Sequence, residues 1–204
     1  MLKHATLIGV IAGVIFLLMA TFYYPGGTYI DELSKGYDWF DNYISNLLGP
    51  LAVNGMDNVA RPWAVTGVLC LTASFGLFFV KFSNRIKIRS AAFIIKYGGI
   101  VATILGFLTV IPSFHDGMVT LSSILTLIIF FYITILALKS RLFWLKLISV
   151  LFLASFYFAA FMYFTRIYLD YMPLVQKIIL LVKITWILSL QYLTQEEDFA
   201  HIIK

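Results

Sequence analysis

Residues 124–138 read Ile124-Leu125-Thr126-Leu127-Ile128-Ile129-Phe130-Phe131-Tyr132-Ile133-Thr134-Ile135-Leu136-Ala137-Leu138. The run carries no charge, and only Thr126, Tyr132 and Thr134 bring a polar atom. A strand of a membrane β-barrel alternates polarity over about 10 residues, and a surface helix of a soluble domain keeps one polar face. This stretch does neither. It has the pattern of a helix with apolar surroundings on almost every side, which the hydrocarbon core of a bilayer supplies.

Working outward, a crossing needs about 20 apolar residues, and six stretches qualify, at about residues 5–24, 63–81, 92–111, 118–138, 145–165 and 174–193. Of the 204 residues 61% are hydrophobic and 12% charged, against about 25% charged in a soluble domain. These features predict an all-α polytopic membrane protein, one six-transmembrane-helix bundle with no separate soluble module. The first run also fits a signal sequence, with Lys3 and His4 before an apolar core and Ala20 small; it is read as a span.

Basic residues alternate from loop to loop. Lys3, then Lys81, Arg85, Lys87 and Arg89, then Lys139, Arg141 and Lys146, then Lys204 fall on one side. The positive-inside rule makes that side cytoplasmic and predicts both termini there, in a multi-pass protein of the cell membrane. The other side holds Lys35, Arg61 and Arg166 with most of the acids: Asp31, Glu32, Asp38, Asp41, Asp57, Asp116 and Asp170. The formal charge of +5 is thus a topology signal and an attraction to anionic lipid. It has no resemblance to a nucleic-acid footprint. Cys70 is the single cysteine and lies in the second span, which excludes an intrachain disulfide and a cysteine metal site.

All five prolines, Pro25, Pro50, Pro62, Pro112 and Pro173, belong to the outer side. Proline lacks an amide donor and stops or kinks helices, so the outer half is expected to consist of short, broken pieces in need of polar partners. The first outer loop, about residues 25–62, opens on the turn Pro25-Gly26-Gly27. Within it, Gly36 to Gly49 has helical periodicity: Tyr37, Phe40, Ile44, Leu47 and Leu48 share a stripe, with Asp38, Asn42 and Ser45 opposite. This predicts an amphipathic helix that lies in the interface or caps the bundle, making the first extracytoplasmic loop partly helical.

The succession Tyr24-Pro25-Gly26-Gly27, Asn42-Tyr43-Ile44-Ser45-Asn46-Leu47-Leu48-Gly49, Asn54-Gly55 with Asn58, and Ile111-Pro112-Ser113-Phe114-His115-Asp116 resembles domain-of-unknown-function family 998. The resemblance follows the order of the spans over nearly the whole chain and implies a six-span membrane protein without assigned activity. Members commonly read Ser-Asp-Leu-Gly where this chain has Ser45-Asn46-Leu47-Leu48-Gly49, so an amide replaces the acid and one leucine is extra. A more distant similarity is to the DRAM, Frag and Sfk group of six-span proteins, whose first outer loop carries a comparable Tyr-Ile-Ser-Asp segment. Part of that group is associated with lipid remodelling, which would imply a lipid as ligand.

The polar residues at outer helix ends, Asn42, Ser45, Asn46, Asn54, Asn58, Arg61, His115, Asp116 and Arg166, are candidates for one site. Guanidinium, imidazole and amide groups suit a lipid headgroup; the plainer alternative is that they satisfy each other and the broken backbone. The leading expectation is a protein that binds or modifies a membrane lipid at its outer mouth, with Arg61, Arg166 and His115 on the headgroup and the asparagines fixing the loop. A non-enzymatic scaffold or assembly subunit, with a membrane-protein partner or in a homo-oligomer, comes second; a small-solute transporter or channel is third.

His115-Asp116-Gly117 is placed in a tight turn between spans three and four, by ordinary Asp-Gly turn chemistry. As a catalytic unit His115 would be a general base oriented by a carboxylate, but no serine sits in a nucleophile motif. Catalytic zinc takes three protein ligands, mostly histidine, and only His115 is on the outer side, so neither metal nor cofactor is expected. No Asp or Glu falls inside the six stretches. Lys183 is the deepest charge and is assigned either to a tyrosine or carbonyl partner or to a cavity with an anionic group; Lys177 is expected to snorkel. Gly9 and Gly13 form a small-xxx-small pair for close helix approach, within the bundle or in a dimer. The aromatic fifth span faces lipid or core, with Tyr157 and Tyr163 as further candidates for lining a site.

Overall fold

A computed structural model describes residues 4–202. Six helices are long and apolar enough to cross a membrane: α1 Ala5–Tyr23, α2 Arg61–Ser83, α3 Arg89–Leu108, α4 Pro112–Lys139, α5 Phe143–Thr165 and α6 Leu169–Leu193. A 3-10 turn lies at Ile44–Leu48 in the first loop and another at Glu196–Asp198 after α6. Neighbours in sequence pack side by side, and α2 is the hub, touching α1, α3 and α6. Both described ends lie at the same end of the bundle, since His4 Nδ1 is 2.9 Å from the Tyr192 hydroxyl.

The core is aromatic. Trp186 stacks on Phe152 with centroids 4.5 Å apart, meets Phe130 edge-on at 5.2 Å, and donates its indole N–H to Ser149 Oγ at 2.8 Å. Large apolar side chains such as Ile8, Ile15, Phe22, Leu151 and Phe158 stand exposed on the outside, as a lipid surround requires.

The small residues of α1 act within the molecule. A Cβ on Gly13 would lie 2.9 Å from the Gly67 carbonyl oxygen and 2.6 Å from Leu71 Cγ; one on Gly67 would lie 2.9 Å from the Gly13 carbonyl oxygen. The two backbones touch, which only glycine permits. Gly67→Val is therefore expected to destabilise the bundle by about 2 kcal/mol through overpacking, read from the midpoint of unfolding in mixed micelles. A midpoint equal to that of the parent protein would contradict this packing.

At the outer end the chain is in short pieces, 3-10 turns and isolated bridges, and Pro62, Pro112 and Pro173 stand in the first turn of a helix, where the missing N–H has no intrahelical partner to lose. The irregular turn within a span is instead the π-helical segment Ile94–Gly98 of α3, which contains no proline.

The amphipathic helix over 36–49 is reduced to the 3-10 turn Ile44–Leu48. Side chains claim the backbone amides ahead of it: Asp38 Oδ1 accepts from Phe40 and Asp41 N–H at 2.7 and 2.9 Å, and Asn42 Oδ1 accepts from Asp38 N–H at 2.8 Å. Such local bonds compete directly with a helical ladder. Phe40, a member of the apolar stripe, is 67% exposed.

Candidate functional site

The loop between α1 and α2 is a folded cap. Pro25-Gly26-Gly27 runs past residues 53–54; Gly27 has φ +85° and its Cα lies so close to the Asn54 backbone that a Cβ would clash with it. Tyr24 is buried, and its hydroxyl accepts from Val53 N–H at 3.0 Å. Burial raises the Tyr24 and Tyr37 phenols above their ordinary value, so both remain protonated at neutral pH. The Tyr37 hydroxyl donates to the Asn42 carbonyl at 3.1 Å.

The asparagines build this cap. Asn42 is fully buried and its amide donates to the Gly27 carbonyl at 2.7 Å. Asn46 Oδ1 accepts from Tyr43 N–H at 2.6 Å, and Asn54 Oδ1 accepts from Met56 N–H at 3.1 Å. Asn58 Nδ2 spans the carbonyls of Asn46, Leu47 and Gly49 at 3.2, 3.1 and 2.9 Å, while its Oδ1 accepts from Ala60 N–H at 3.2 Å. Arg61 donates Nε to the Leu48 carbonyl at 3.1 Å.

Helix α6 holds the cap down. Lys177 does not snorkel: its ammonium donates to the Asn42 carbonyl at 2.6 Å and to the Pro173 carbonyl at 3.0 Å, with the Tyr37 ring 5.3 Å away. One residue earlier, Gln176 Oε1 accepts from Ile44 N–H at 2.8 Å. Reading the sequence missed both roles. No local signal reports a contact 135 residues distant in the chain.

Between this cap and the α3–α4 turn lies a cavity of about 370 Å³, within the size range of small-molecule sites. Ser45, Asn46 and Leu48 form one wall; Thr109, His115 and Asp116 form the other. The opposite side of the same 3-10 turn, Ile44 and Leu47, lines an apolar groove between α1 and α6. His115 and Asp116 are not in a turn as expected: they open the α-helical part of α4, and the turn precedes them, because the Thr109 to Pro112 backbone already reverses the chain. His115 Nδ1 lies 2.6 Å from the Thr109 carbonyl oxygen, so that carbonyl, and not Asp116, orients the ring. The first helical turn at Asp116 favours its negative charge.

Of the sequence candidates, Ser45, Asn46, His115 and Asp116 share this cavity. Asn42, Asn54, Asn58 and Arg61 stand behind it as supports. Arg166 is elsewhere, capping α5 in a left-handed conformation (φ 62°) with Tyr163 beneath it at 5.4 Å. That region adjoins a second depression lined by Tyr43 and Asp170, where burial raises the Tyr43 phenol and Arg166 opposes the rise. Tyr157 lines a shallow apolar groove on α4 and α5. Lys183 lies deep in the bundle, away from the cap. Among the described residues no group of three His, Cys, Asp or Glu is placed to hold a metal ion, and no hydrogen bond joins Ser45 to His115.

Comparison of the chain with protein-family models, with curated proteins and with solved structures finds no match.

Proposed function

We propose that this is a cell-membrane protein with both termini in the cytoplasm, whose outer-end cavity binds the headgroup of a zwitterionic phospholipid. The observation that carries the reading is the pairing of His115 and Asp116 in a polar cavity at the level of the helix ends. A headgroup phosphate suits the imidazole and the positive end of α4, and a headgroup amine suits the Asp116 carboxylate, which has no cationic partner among the described residues. With Arg61 on the Leu48 carbonyl and Arg166 beside the Tyr163 ring, neither lining the cavity, a headgroup of net negative charge has less to recommend it. The motifs that carry the resemblance to domain-of-unknown-function family 998 belong to this cap and cavity wall, which supports membership in that family as part of the same proposal.

Protein purified in mild detergent and incubated with total lipid extract is expected to retain an amine-bearing zwitterionic phospholipid above its share of the extract. His115→Ala and Asp116→Asn each should lower that retention about fivefold or more, the loss of one hydrogen bond to a charged group. Retention equal in both variants and the parent, or enrichment of anionic lipid, would overturn the proposal.

A further inference from the structure

Lys183 lines a second, smaller cavity of about 70 Å³ bounded by residues of α2, α3, α4 and α6. It lies near the middle of α6. Its ammonium sits over two ring faces, 4.5 Å from the Phe75 centroid and 5.5 Å from that of Phe130. It has no hydrogen-bond acceptor among the described residues. The rings stabilise the cation from one direction and leave its N–H groups unanswered.

The remaining lining supplies more donors. Thr72 and Thr126, each near the middle of its own helix, line the cavity, and neither hydroxyl has a hydrogen-bond partner among the described residues. By contrast, the hydroxyl of Thr103, also on the lining, donates to the Gly99 carbonyl four residues back at 2.7 Å. Ser122 has only a long bond of 3.4 Å to the Ala102 carbonyl. No carboxylate lines the space. A single uncompensated cation surrounded by free hydroxyls at bilayer depth is costly unless something accepts its protons and cancels its charge.

We infer that this cavity is a binding site for a small monovalent anion of chloride size, held by the Lys183 ammonium with the hydroxyls of Thr72 and Thr126. The volume admits one such ion with a water molecule or two. Water alone would answer the donors and leave the charge uncompensated. The site is separate from the outer-end cavity and does not depend on the lipid reading.

Equilibrium binding of radiolabelled chloride to the purified protein in gluconate buffer tests the inference. Saturable binding near one ion per chain is expected. Lys183→Met should weaken it about tenfold or more, as removal of a charge-assisted contact does. Thr126→Val, which keeps shape and charge, should weaken it severalfold and serves if Lys183→Met fails to fold. The inference is overturned by no saturable chloride in the parent protein, which would mean a cavity of water only, or by unchanged affinity in Lys183→Met or Thr126→Val.

Discussion

Replacing Arg85 by alanine is expected to lower the unfolding free energy by about 3 kcal/mol, among the largest losses available from any one side chain outside the core. Arg85 follows α2, and its guanidinium reaches the end of α6. Nη1 donates to the Leu190 carbonyl, the Thr194 carbonyl and Thr194 Oγ1, each at 2.9 Å, and Nη2 donates to the Gln191 carbonyl at 3.0 Å. The last carbonyls of a helix have no intrahelical donor, and that end carries partial negative charge. One planar fork thus satisfies both needs and ties the second helix to the sixth. Alanine would leave the part-buried Gln191 and Thr194 carbonyls without the guanidinium, at about 1 to 3 kcal/mol each and less than additively, while the Leu190 carbonyl keeps the Thr194 hydroxyl at 2.7 Å. Lysine keeps the charge without the fork and should restore less than half of the loss. Titration with a denaturing detergent, followed by tryptophan fluorescence, reads the difference. An alanine variant within about 0.5 kcal/mol of the parent protein would refute the capping role.

Arg85 also marks where the sequence stopped being legible. It reads as one of four basic residues in a connection, which is enough for topology, yet its partners lie 105 to 109 residues away. The spans were legible because the bilayer imposes length and apolarity on each segment independently. The cap was not, because periodicity in residues 36–49 reports apolar spacing and is silent on the competition for amides won by Asp38 and Asn42. Proline marked the outer end but not its role there: at a first helical turn it favours the helix it would break elsewhere. In the cavity, Ser45, Asn46, His115 and Asp116 came from the correct end of the molecule, since polar residues at outer helix ends have few places to go. Arg166 showed the limit of that argument, because end of bundle does not specify side of bundle.

The second large effect concerns the residue on which the cavity wall depends. Asn58→Asp changes almost no volume, so packing is conserved while the donor becomes an acceptor. Asn58 is 6% exposed, and its amide nitrogen faces three carbonyl oxygens. An ionised carboxylate there would be buried against three partial negative charges, with the Arg61 guanidinium already committed to the neighbouring Leu48 carbonyl, a loss of about 3 kcal/mol from the cap. The sign of the pH dependence follows. In the unfolded chain the introduced carboxyl ionises near pH 4; in the folded chain burial and the carbonyls raise its pKa, so the folded form binds more protons and stability falls as pH rises through that interval. At about pH 4 the protonated acid can still donate to one carbonyl, and the variant should come nearest to the parent protein. At pH 8 the 3-10 turn Ile44–Leu48 should detach, and lipid retention should fall with it while the six spans stay folded. Limited proteolysis within residues 40–60 at the two pH values separates these states. Equal resistance of the variant and the parent protein at pH 8 would show that the three-carbonyl bridge does not hold the cap.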